Sequence, residues 1–168
     1  MNRLFIVGLM TILSSSLWAQ KTAEAYKTEI NTTLNDWHKA AAQANFQGYF
    51  DLMSEDAVFI GTDAHENWQK EAFMAYAKPH FDKGKAWDFT AVERNIYSNE
   101  SKDIVWFDEL LDTQMKLCRG AGVLKKIDGE WKIAHYVLSL VIPNENVSEV
   151  VQLKQEKDDA VIKKLGSQ

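Results

Sequence analysis

The stretch MKLCRGAGVLKKIDGEWKIAHYVLSLVI, residues 115–142, decides the fold. It contains two runs rich in β-branched and aromatic residues, Met115 to Ile127 and Trp131 to Ile142, on either side of Asp128-Gly129. That dipeptide suits a tight hairpin, because both of its residues tolerate the positive φ that such turns require. Two further runs of the same character precede it, Asp88 to Tyr97 and Ile104 to Leu111, set apart by short polar breaks. Together they predict four consecutive strands in an antiparallel sheet.

Upstream the period changes. Thr22 to Asn45 contains neither Pro nor Gly, and Tyr26, Ile30, Leu34, Trp37 and Ala41 recur at helical spacing, which predicts a long amphipathic helix. Phe46 to Met53 reads as a second, short helix, and Ala57 to Gly61 as a short buried strand. A third helix is predicted from about Gln69 to Phe81, with Pro79 near its end. Helices followed by strands indicate an α+β domain. Beyond Pro143-Asn144, the polar segment Val147 to Leu165 reads as a surface helix or a frayed tail.

The chain has 168 residues, 26% of them charged and 46% hydrophobic, with only 2 Pro, a composition that folds. Its first 19 residues resemble a secretory signal: Arg3 gives the positive start, Leu4 to Leu13 the apolar run and Ser14 to Ala19 a small-residue tail. This predicts export, to the periplasm or the medium, and a mature N-terminus near Gln20. The apolar run is about half the length of a bilayer span, and no later stretch is a better candidate, so no membrane partner is expected. The single Cys, Cys118, excludes an internal disulfide scaffold. A formal charge of −5 with no basic run gives no footprint for nucleic acid.

The order of helix, short helix, strand, helix and four strands resembles the SnoaL-like proteins of the nuclear transport factor 2-like superfamily. The resemblance covers about Ile30 to Asn144, within a domain of residues 20–144. It rests on Phe59-Ile60-Gly61-Thr62-Asp63 with Glu66, on Val105-Trp106-Phe107-Asp108-Glu109, and on Arg119-Gly120-Ala121-Gly122-Val123-Leu124. Trp131-Lys132-Ile133-Ala134-His135-Tyr136, Ser139 and Pro143-Asn144 complete it. The resemblance implies a cone in which a curved sheet and helices enclose a pocket, in a superfamily that includes isomerases, dehydratases, cyclases and noncatalytic proteins. Fold therefore leaves function open.

The last three strands also resemble the association domain of calcium/calmodulin-dependent kinase, in which charged side chains enter the pocket. Transferred to this chain, the pocket positions fall at Asp108, Gly122 and Leu138. The pocket Arg is thus replaced by a carboxylate, and a small dicarboxylate ligand is not implied. Alternation along the strands then groups Asp108 with Trp106, Leu110, Ala134, Tyr136 and Leu138. The opposite face receives Val105, Phe107, Glu109, Arg119, Ala121, Val123, Ile133, His135 and Val137. Both faces are apolar, so the second is expected to pair with another copy through Phe107, Ala121, Val123, Ile133 and Val137. A β-bulge would invert part of this assignment.

Asp108 in an apolar pocket beside Trp106 and Tyr136 would have a raised pKa and suit proton transfer. The alternative is a structural hydrogen bond, or an ion pair with Arg119. Glu109 and Arg119 read as a cross-strand ion pair. His135 reads as a catalytic base or as a hydrogen-bonded core or interface residue. Asp63 and Glu66 suit either capping of the third helix or the pocket mouth. Trp37 on the long helix is the candidate lid. His38, His65 and His80 lack the spacing of a metal site, and neither a metal nor another cofactor is expected. Two functions follow as expectations. One is a binding domain for a small apolar or aromatic molecule, with Trp37, Trp106, Asp108, Gly122, Tyr136 and Leu138 lining its pocket. The other is a cofactor-free isomerase, dehydratase or cyclase using Asp108 with Tyr136 or His135.

Overall fold

The computed structural model describes residues 25–167, and the predicted signal segment lies outside them. Helix α1 runs over residues 25–42 and α2 over Phe46–Asp51. Ile30, Leu34, Trp37, His38 and Ala41 are buried, the spacing of a single helical face. Between the helices Ala44 adopts φ 53°, and the Asn45 side chain accepts a 3.0 Å bond from the Gly48 amide to cap α2.

Strands β1 (Met53–Ile60) and β2 (Asn67–Gln69) form a small antiparallel pair, followed by α3 (Lys70–Phe81). Pro79 lies within the last turn of α3. Then come β3 (Phe89–Ser98), β4 (Ile104–Thr113), β5 (Lys116–Ile127) and β6 (Glu130–Leu140). At the Asp128-Gly129 turn both residues have positive φ, 51° and 86°, as the hairpin reading requires. The six strands form one curved sheet in the order β2-β1-β6-β5-β4-β3. It is not wholly antiparallel, because β1 pairs with β6 in parallel. These two strands meet through the whole intervening chain rather than a hairpin, which frees their relative direction.

The helices cover one face of the sheet. Val105, Phe107, Glu109, Leu111 and Thr113 of β4 alternate into that interior, as do Cys118, Gly120, Gly122 and Leu124 of β5. On β6 the alternation breaks at Ala134, because Val123 pairs with His135 but Leu124 pairs with Ile133. The bulge lets Trp131 and Ile133 point inward below it and Tyr136 and Leu138 above it. Phe107 and Ile133, expected on an outer docking row, are therefore core residues at 3% and 0% exposure. The helix α4 (Val147–Leu165) contains no buried residue. None of the described helices is long and apolar enough to cross a membrane.

Candidate ligand-binding site

Two polar and aromatic assemblies occupy the interior. The first is centred on Glu109, which is fully buried. His38 Nε2 lies 2.8 Å from its Oε1, and the Tyr136 hydroxyl donates to the same oxygen at 3.0 Å. Arg94 covers Oε2, with Nε at 2.8 Å and Nη2 at 2.7 Å. The guanidinium is held in turn by α1, through bonds from Nη1 to the side-chain oxygens of Asn31 and Asn35 at 3.0 and 2.9 Å. Burial alone would raise the Glu109 pKa, but the His38 bond and then the Arg94 charge bring it below the ordinary carboxylate value. Tyr136 is pushed well up, first by burial and then by the Glu109 charge, and so stays a donor.

Gly120 makes this cluster sterically feasible. A Cβ there would stand 2.2 Å from the Tyr136 hydroxyl and 3.0 Å from Glu109 Cγ. Both carboxylate oxygens are engaged, and the group is sealed beneath aromatic rings. Trp37 crosses Tyr136 edge-on at 4.8 Å, and Phe59 stacks on Tyr136 at 5.6 Å. The arrangement ties α1 to β3, β4 and β6, while His38 Nδ1 is buried without a hydrogen-bond partner among the described residues.

The second assembly surrounds a cavity of about 220 Å³ between α3, the β1–β2 loop and the ends of the sheet. Phe59, Trp68, Phe73, Tyr76, Trp87 and Phe89 supply its aromatic walls, and Met115 and Leu138 its aliphatic ones. The rings brace one another: Phe59 and Phe73 stack at 4.0 Å, Trp68 and Tyr76 at 4.4 Å. Thr62, Glu66, His80 and Gln114 add polar groups to the lining. Glu66 is placed by its loop, where Oε2 accepts from the Asp63 amide at 3.1 Å and Gly61 donates to the Glu66 carbonyl at 2.9 Å. Gly61 leaves the necessary space, since a Cβ would meet Oε2 at 2.2 Å. Tyr76 has a raised pKa, through burial first and the Glu66 charge second.

Of the residues predicted to line the pocket, Leu138 lines this cavity, as does Glu66, which the sequence offered for its mouth. Tyr136 and Gly122 point into the interior but belong to the packed region beside it. Gly122 admits the Phe107 ring, which lies 2.9 Å from where its Cβ would be. Trp37 is a core residue at 1% exposure rather than a lid. Asp108 and Trp106 lie on the outer face, because β4 buries the other parity, through Glu109. There Asp108 faces Arg119 at 3.5 Å and receives a bond from Asn95 at 3.2 Å, while Trp106 stacks on Tyr97. His135 is on this outer side too, opposite Val123. Asp108 and Tyr136 thus stand on opposite faces.

The expected Glu109–Arg119 pair is replaced by Glu109–Arg94 and Asp108–Arg119. Asp63 and Glu66 shape the loop before β2 and do not cap α3, whose N-cap is Gln69. Sequence reading missed Arg94, His38 and most of the cavity lining. His38 follows Leu34 at i+4 on the buried face of α1, a visible signal that spacing alone does not connect to Glu109.

A helix-backed, curved sheet of this order defines a nuclear transport factor 2-like cone. Residues 30–143 match the SnoaL-like domain, and the chain belongs to that family. An NTF2-like protein of unknown function from Pseudomonas putida KT2440 is similar at 16% identity, covering 73% of this chain and 92% of its own, with a TM-score of 0.61. An NTF2-like protein from Cytophaga hutchinsonii is similar at 18% identity, 68% and 98% coverage and a TM-score of 0.58. A provisionally named calcium/calmodulin-dependent protein kinase II association domain from Xanthomonas campestris is similar at 21% identity, 69% and 87% coverage and a TM-score of 0.53. These likenesses establish the fold. Among curated proteins, none matches the chain.

Proposed function

We propose that the chain is an exported domain that binds a small apolar or aromatic molecule in the cavity beside α3, and that two copies pair through the outer sheet face. The observation that carries the binding reading is the cavity, about 220 Å³ with six aromatic rings in its lining. Such walls favour a flat or compact organic ligand by apolar burial, and the few polar groups set its orientation. The volume suits a ligand of one ring rather than a large multi-ring molecule. Glu109, Arg94, His38 and Tyr136 serve as structure in this reading, because Glu109 already receives bonds on both oxygens.

The SnoaL-like fold is also compatible with isomerase or dehydratase chemistry. A reaction run by Asp108 with Tyr136 needs both groups at one ligand, yet Asp108 lies on the outer face and Tyr136 inside. Asp108 with His135 would act on that outer face, away from the cavity. Binding is therefore the reading that the geometry favours. Export rests on the residues at the N-terminus, and pairing on the apolar groups of the outer face.

Native mass spectrometry of the protein recovered from the exported fraction of its own host tests this reading. The expected species starts near Gln20, is dimeric, and carries a small organic adduct that denaturation releases. An exported chain that begins at Met1 contradicts the export part. A ligand-free protein that also fails to take up indole or phenol at millimolar concentration contradicts the binding part.

A further inference from the structure

The cavity has an electrostatic sign. Among the described residues no Lys or Arg lines it, whereas Glu66 does, held by the Asp63 amide on one oxygen. Among the described residues its other oxygen accepts no hydrogen bond. The walls are electron-rich indole, phenol and phenyl rings, whose faces carry negative charge density. Trp68 is stacked on Tyr76, and Phe73 lies nearly parallel to Trp87 at 5.8 Å and 21°. An anion would meet the Glu66 carboxylate with no Lys or Arg among the described lining residues to compensate its desolvation.

Building on the ligand-binding reading above, we propose that the cavity selects small organic cations, of the class of a compact ammonium or an N-alkylated aromatic amine. The apolar part of the ligand lies among the rings and its positive charge is shared between ring faces and Glu66. Gly61 and the Asp63 amide hold that carboxylate at the boundary between the cavity and a neighbouring groove that Lys154, Lys157 and Lys164 line, and those lysines are not in the cavity's own lining. Among the described lining residues, His80 is the one that can carry positive charge, and its ring packs on Tyr76 at 5.3 Å.

The test is a calorimetric titration of the full chain with phenyltrimethylammonium, its neutral isostere tert-butylbenzene, and phenylacetate. In the wild type the cation binds more tightly than phenylacetate and weakens as salt is raised, while the neutral isostere is indifferent to salt. Glu66→Gln keeps the shape and the acceptor for the Asp63 amide, and lowers the cation affinity about tenfold while leaving tert-butylbenzene within about twofold. If cation and isostere both bind but neither responds to salt or to Glu66→Gln, charge selection is wrong and the aromatic-ligand reading stands. Preferential binding of phenylacetate overturns charge selection in the same way. Failure of all three to bind overturns both. The salt series on the wild type decides the matter even if the variant does not fold.

Discussion

At the scale of single residues, Glu109 and Asp108 are neighbours in sequence with opposite circumstances. Glu109 is wholly buried against Arg94, whereas the Asp108 side chain is 32% exposed and its partner Arg119 55%. Glu109→Gln leaves the Arg94 guanidinium buried without its counter-charge and should cost on the order of 3–5 kcal/mol. Asp108→Asn should cost no more than about 1 kcal/mol, as for an exposed pair. Chemical denaturation at neutral pH checks both. Because folding lowers the Glu109 pKa from 4.5, the unfolded chain takes up its proton first as pH falls. Its stabilising contribution is thus complete above about pH 5 and is lost as pH drops through the folded-state value. Stability measured from pH 7 down to 3 should decline less steeply below pH 4.5 in Glu109→Gln than in the wild type. Similar slopes would show that this carboxylate is not coupled to folding. The choice between the two acids was not legible in the sequence, because Trp106 and Leu110 make the Asp108 face look as apolar as the Glu109 face.

At the scale of elements, the strands and helices were readable where period and turn chemistry agreed. Asp128-Gly129 placed the β5–β6 hairpin, and Ile30, Leu34, Trp37 and Ala41 placed the inner face of α1. What was not readable is long-range: the Ala134 bulge, the parallel β1–β6 contact and the short β2 depend on how distant segments meet. The cavity shares this origin, since β1, α3, the segment before β3 and the β4–β5 turn all contribute to it. Helix α4 stands apart from these contacts. It buries no residue, and its Leu153 is 84% exposed. Truncation after Asn146 should therefore lower Tm by less than about 4 °C, the shift of roughly 1 kcal/mol for a domain of this size, as read by differential scanning calorimetry. A larger loss would mean that α4 packs against the domain, in one copy or between two.

At the scale of the whole molecule, the sheet separates an interior of aromatic rings from an outer face that still carries apolar groups. Trp106 and Tyr97 are 47% and 48% exposed there, with Ala121, Val123 and Val137 partly covered. Pairing of two outer faces would bury them, and Val123→Glu would then place a charge in a dry interface. Sedimentation should show a dimer at micromolar concentration for the wild type and a folded monomer for Val123→Glu; a monomeric wild type removes the premise. The central claim concerns the other side of the sheet, where ligand binding should register at the cavity and nowhere else. Methyl NMR of the full chain titrated with indole tests it most directly, using Met115 and Leu138 as reporters inside and Ile104 and Leu153 outside. The account predicts saturable shifts at Met115 and Leu138 with Ile104 and Leu153 unmoved; shifts confined to the outer residues, or none up to millimolar indole, would contradict it.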